Sequence, residues 1–146
     1  MAKPFAFRLE KVLEYRRQLE DQARMALAQA QAQHDAQKRI IADLSMRMTA
    51  HMERGFGRNA TQADIWLWSQ YRDALGKDLI QAKTELERLA SILQVCREEA
   101  VLRSREKKLL EKLKDRQAKK YHEQESQREQ KEFDEMATIR HKSQDR

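Results

Sequence analysis

The sequence predicts an all-α protein, a two-helix antiparallel coiled-coil hairpin with an overhanging C-terminal helix. Three observations carry that prediction. Of 146 residues, 37% are charged and 6% aromatic, and only three Gly and one Pro interrupt the chain; its enrichment in Ala, Glu, Lys, Leu, Arg and Gln favours helix. The only cluster of turn-forming residues is "RGFGRNAT", Arg54 to Thr61, and a single turn leaves two long elements. Apolar residues make up 40% of the chain and recur at helical spacing, which separates it from disordered chains of similar charge. The expected organisation is one coiled-coil domain over 1–146, with helix one at about 5–54, a tip at 55–60, helix two at about 61–137 and a frayed tail at 138–146.

Helix one should begin just after Pro4, because Pro suits the first turn of a helix. Its seam, counted in threes and fours, is Leu9, Val12, Arg16, Leu19, Ala23, Ala26, Ala30, Gln33, Gln37, Ile40 and Leu44, widened on one side by Leu13, Leu27, Ile41 and Met48. Helix two opens at Thr61, with Asp64 placed to complete a capping box. Its seam is stronger: Ile65, Trp68, Arg72, Leu75, Leu79, Ala82, Leu86, Leu89, Leu93, Cys96 and Ala100. Alternating threes and fours predict a left-handed coiled coil. A short turn makes the helices antiparallel. With the turn centred near Phe56 and Gly57, facing residues have numbers summing to about 115. Ile40 then faces Leu75, Ala26 faces Leu89, Leu19 faces Cys96, and Phe5 and Phe7 fall opposite Leu110 and Leu109. An Ala-rich run thus meets a Leu-rich run, small against large.

Beyond Leu113, the last leucine, helix two should overhang without a partner. The stretch "KLLEKLKDRQAKKYHEQESQREQKEFDE", Lys108 to Glu135, is nearly all charge and helix former. From Arg103 to Lys120 nine Lys or Arg face three acids, and from Tyr121 to Glu135 two bases face six acids. A basic belt is followed by an acidic one, with internal pairs such as Glu111 with Lys114 and Asp115 with Lys119 lending local support.

Catalytic chemistry is not foreseen. His34, His51, His122 and His141 are scattered, "GFG" lacks the strand and the Lys-Ser/Thr of a phosphate loop, and Cys96 on the seam reads as a structural thiol. No cofactor and no metal are expected. Nucleic acid is disfavoured as a partner, since Glu106, Glu111 and Asp115 interrupt the basic belt and stacking aromatics are scarce. The lone cysteine excludes an internal disulfide, and no run approaches a signal peptide or membrane span. A cytoplasmic protein is expected. Trp68 should close the hairpin core at the tip, leaving Trp66 to point elsewhere as a contact residue. Gly76 within helix two reads as a tolerated imperfection, or as a close helix approach.

The opening "FAFRLEKVLEYRRQLEDQA" and the late "LLEKLKDRQAKKYHEQESQREQKEFDEMATIR" resemble the two ends of the flagellar export protein FliJ family. The resemblance covers the whole length and the order of features. It implies a soluble, non-catalytic part of the flagellar type III export apparatus, similar to the stalk subunit of rotary ATP synthases. Such proteins bind a hexameric export ATPase, promote its ring assembly, and contact the membrane export gate and export chaperones. On that resemblance the ring-facing candidates are Phe7, Arg8, Lys11, Arg116, Arg128, Gln130, Lys131, Asp134 and Glu135. The gate contact falls near Trp66 and Tyr71. Cytoplasmic location with peripheral attachment at the flagellar base is implied as well. A self-assembling coiled-coil scaffold, in which overhangs pair weakly between copies, stays open as the rival, with a nucleic-acid-binding hairpin more distant.

Overall fold

The computed structural model describes residues 3–144. Two helices make up its elements: α1, Glu10–Arg54, and α2, Gln62–Gln144. They pack against each other as an antiparallel hairpin. The contacts divide into two compact units, one of Asp21–Val101 and one joining the residues up to Glu20 with those from Leu102 onward. α2 runs to Gln144, past the boundary expected at 137; Asp145 and Arg146, also placed in a frayed tail, lie outside the described residues.

In the unit Asp21–Val101 the turn is built as its residues dictate. Gly55 and Gly57 take positive φ, +60° and +81°, a conformation that costs other residues backbone strain. The Gly55 amide donates to the His51 carbonyl at 3.2 Å and stops α1. At the start of α2 the capping box forms: the Asp64 amide donates to Thr61 Oγ1 at 3.2 Å, and the Thr61 amide to Asp64 Oδ2 at 3.0 Å. The expected α2 seam from Trp68 to Ala100 is the shielded one, with Leu75, Ala82, Leu89 and Leu93 buried. Ile65 is exposed and lies outside it.

The α1 seam differs from expectation by half. Ala23, Ala30, Gln37 and Leu44 are shielded as expected, and so are Leu27, Ile41 and Met48, expected to widen the seam; they are joined by His34, while Ala26, Gln33 and Ile40, expected on the seam, are exposed. Ile40 is 50% exposed and does not face the buried Leu75. Leu27 and Met48 bury more apolar surface than Ala26 and Arg47 before them would, and that larger gain turns the helix so that Ile41 rather than Ile40 is shielded. Register shifts too. Gln37 Nε2 donates to the Ala82 carbonyl at 2.9 Å and His51 contacts Trp68 at 2.8 Å, two contacts whose residue numbers sum to 119 rather than 115. Helical side chains lean toward their own N-terminus, so on antiparallel helices the residues that touch lie further along than those whose backbones face each other. A Cβ added at Gly76 would meet Met48 Cε at 3.9 Å, ordinary contact, so no close approach requires that glycine.

In the other unit, α1 starts at Glu10, not after Pro4. Residues 3–7 are not helical, and the Glu10 amide is held by the Phe7 carbonyl at 3.1 Å. The reason lies in Phe-x-Phe: a two-residue spacing puts both rings on one side of an extended chain, whereas a helix would splay them. Phe7, Leu13 and Leu110 form a buried cluster with Phe5 and Leu9 packed on it. Phe7 therefore meets Leu110, which was expected opposite Phe5, while Leu109, expected opposite Phe7, is 65% exposed. The seam is partly ionic. Glu20, 2% exposed, is joined by Lys107 at 2.9 Å, Glu10 by Lys114 at 2.8 Å, and Arg16 donates to the Glu106 carbonyl at 2.9 Å. Leu19 and Val12, expected on the seam, sit beside it. Glu111 pairs across to Arg17 at 3.7 Å, and Lys114 across to Glu10, rather than with each other.

Candidate partner-binding surfaces

The expected overhang begins later than Leu113. An extended chain advances about 3.3 Å per residue against 1.5 Å for a helix, so the non-helical start of the chain reaches further along α2 than a helix would. Phe5 lies against Tyr121 with ring centroids 5.7 Å apart, and the Tyr121 hydroxyl donates to the Lys3 carbonyl. Past that point Glu125 is still half-shielded and pairs with Arg128 at 3.4 Å. From Ser126 to Gln144 every residue is exposed, a projecting helix of roughly 28 Å at 1.5 Å per residue.

This end gathers most of the ring-facing candidates. Arg128, Gln130, Lys131, Asp134 and Glu135 all stand on the projecting helix, exposed. Arg8, Lys11 and Arg116 are exposed within the paired part of the same unit. Phe7 is the exception: its ring is buried against Leu13 and Leu110 and supports the start of the chain from inside rather than offering a contact. Tyr121, which anchors the N-terminal segment, was not singled out from the sequence. Its signal was the seam spacing continued past Lys114 through Ala118.

At the turn, Trp68 is held by three residues, His51, Phe56 and Arg72. Its indole Nε1 donates to the His51 carbonyl at 3.2 Å while His51 Nε2 lies 2.8 Å from the Trp68 carbonyl, a reciprocal pair. The rings stack with centroids 4.9 Å apart, Phe56 meets Trp68 edge-on at 5.6 Å, and the Arg72 guanidinium sits 5.2 Å from the indole centroid, within cation–π range. Trp66 turns away and is 61% exposed. Tyr71 touches His51 edge-on at 4.8 Å and is otherwise largely open. His51 was not foreseen as the partner that orients Trp68.

Among the described residues no group of three His, Cys, Asp or Glu side chains is placed to hold a metal ion. Cys96 is a free, half-buried seam thiol. Hydrogen bonds from the Arg88 guanidinium hold the Glu85 carboxyl below its ordinary value, with both groups in open solvent. No described helix is long and apolar enough to cross a membrane.

A family model described as the flagellar FliJ protein matches residues 5–146, nearly the whole chain. No curated protein and no solved structure matches it.

Proposed function

The chain belongs to the flagellar FliJ family, and from that premise we propose that it is a stalk-like, non-catalytic component of the flagellar type III export apparatus. In this reading it binds the hexameric export ATPase, promotes ring assembly and turnover, and links the ring to the membrane export gate and export chaperones. It works in the cytoplasm, attached peripherally at the flagellar base. The observation that carries the reading is the projecting end of α2, exposed from Ser126 to Gln144 and continuous with a paired, salt-bridged base. A stalk needs a stiff paired segment and a projecting segment that is free to engage. Charged surface suits it, because charge complementarity sets encounter rate and orientation more than it sets permanent adhesion.

In this reading Arg128, Gln130, Lys131, Asp134 and Glu135 face the ring, with Arg8, Lys11 and Arg116 behind them, and Phe7 holds the base together. Trp66 and the open edge of Tyr71 are assigned to the gate, since an exposed tryptophan beside a fixed tip is a common anchor. The test is co-purification with the hexameric ATPase and measurement of its turnover as protein is added. Reversing the signs of Lys131, Asp134 and Glu135 keeps length and helix propensity and should lower that stimulation sharply. Stimulation unchanged by the reversal would remove the projecting end from the interface.

A further inference from the structure

In the unit joining the residues up to Glu20 with those from Leu102 onward, the paired helices carry a second apolar stripe that the seam does not use. Seam residues here include Leu13, Arg16 and Glu20 on α1 and Lys107, Leu110 and Lys114 on α2. The residues that follow Arg16 and Leu110 lie on one flank, and there Arg17 meets Glu111 at 3.7 Å. The residues that precede Leu13, Glu20, Lys107 and Lys114 lie on the other flank: Val12, Leu19, Glu106 and Leu113. Turning one strand of a two-stranded coil end for end brings like flanks together, so these four share one side. Tyr15, Leu102 and Leu109 continue the same stripe at spacings of three and four.

This flank is apolar and open. Val12, Tyr15, Leu102 and Leu109 are all more than 40% exposed, and Leu113 is on the border of exposure. Its outer edges are basic: Lys11 on α1, and Arg105, Lys112 and Arg116 on α2, are all exposed. Among the described residues of this unit the acid on the flank is Glu106, and Arg103 already holds its carboxylate at 3.2 Å. The opposite flank is different in kind, closed by the Arg17–Glu111 pair.

We propose that this flank docks an amphipathic helix of a partner protein, one whose apolar stripe is bordered by carboxylates. Two antiparallel helices with an apolar shared side present a groove into which a third helix packs its own stripe. The basic edges select the partner's charge, and they disfavour a second copy of the same face, which would bring like charges together. The site lies apart from the projecting end of α2 and shares Lys11 and Arg116 with the ring-facing set. It is tested at Tyr15, Arg105, Leu109 and Lys112, which that set does not include, so it does not depend on the stalk reading.

The test is fluorescence anisotropy of the full chain with a labelled synthetic helix carrying a leucine stripe flanked by Glu, beside a companion with Lys in place of every Glu. The Glu-flanked helix should bind and weaken with added salt, and the Lys-flanked one should not. Leu109→Gln and Tyr15→Ala each remove exposed apolar surface, so melting should be unchanged while affinity falls about tenfold or more. Arg105→Glu with Lys112→Glu should abolish the preference for the Glu-flanked helix. Equal binding of both helices, or Leu109→Gln binding like the parent, would overturn the proposal. So would sedimentation showing a dimer that Leu109→Gln returns to monomer, or displacement of the bound helix by duplex DNA. The assay contains no ATPase, so its failure leaves the stalk reading untouched.

Discussion

Replacing Glu20 by Leu removes a carboxylate that is 2% exposed and joined by the Lys107 ammonium at 2.9 and 3.0 Å. Removing one member of a fully buried ion pair costs about 3–5 kcal/mol, because the partner charge is stranded. Lys107 keeps 18% of its side chain exposed, so its ammonium can recover some water and the cost should sit nearer 2–3 kcal/mol. For a chain of this size that is a fall of about 4–12 °C in melting temperature. Replacing both residues by Leu removes the Lys107 charge together with the carboxylate and adds apolar surface to the seam; stability should return to within about 1 kcal/mol of the parent or exceed it. Circular dichroism melts and urea titrations of the two single variants and the double variant complete the cycle. If Glu20→Leu melts like the parent, the pair is not buried as described. If the double variant is as weak as the single, the cost comes from misfitting the seam and not from stranded charge.

Three further outcomes follow from the same packing. Trp68→Ala should cost about 3 kcal/mol, the scale for a large packed aromatic, and Trp66→Ala less than about 0.5 kcal/mol; equal losses in thermal melts would place Trp66 in the core. Phe7→Ala should cost about 3 kcal/mol through the cluster with Leu13 and Leu110, and hydrogen exchange should then accelerate at the first turns of α1 before anywhere near the tip. Gly55→Ala meets no atom within 4 Å, so its cost should be the backbone term alone, about 1 kcal/mol at φ +60°; a much larger loss would mean that the turn carries contacts besides its backbone conformation.

Legibility followed the size of the apolar signal. From Trp68 to Ala100 the α2 seam is mostly Leu at alternating threes and fours, and it was readable residue by residue, as was the Thr61–Asp64 cap. On α1 the position occupied by Leu13, Leu27, Ile41 and Met48 also holds Glu20 and His34, whose polarity hid the series behind its neighbour of Val12, Leu19, Ala26 and Ile40. A buried charge reads as a surface residue until its partner is known, and Lys107 lies most of the chain away. The start is harder to read because Pro4 suits both a first helical turn and a non-helical strap, and Phe5 and Phe7 at a spacing of two are the better guide. Of the candidate site residues, those from Arg128 to Glu135 stand exposed because, among the described residues, the start of the chain makes its last contact with α2 at Tyr121, whereas Arg8, Lys11 and Arg116 are exposed within the paired part. Phe7 reads as a contact in isolation and as a core residue once Leu110 is found beside it.

The most direct measurement compares the full chain with one ending at Glu125 in their effect on export-ATPase turnover. The cut falls beyond the Tyr121 anchor and the base clusters, so the shortened chain should keep the parent's melting transition. The full chain should bind the hexamer and raise its turnover, while the shortened chain should lose most of both effects. Equal binding and stimulation by the shortened, folded chain would contradict the claim that the projecting end of α2 is what engages the ring.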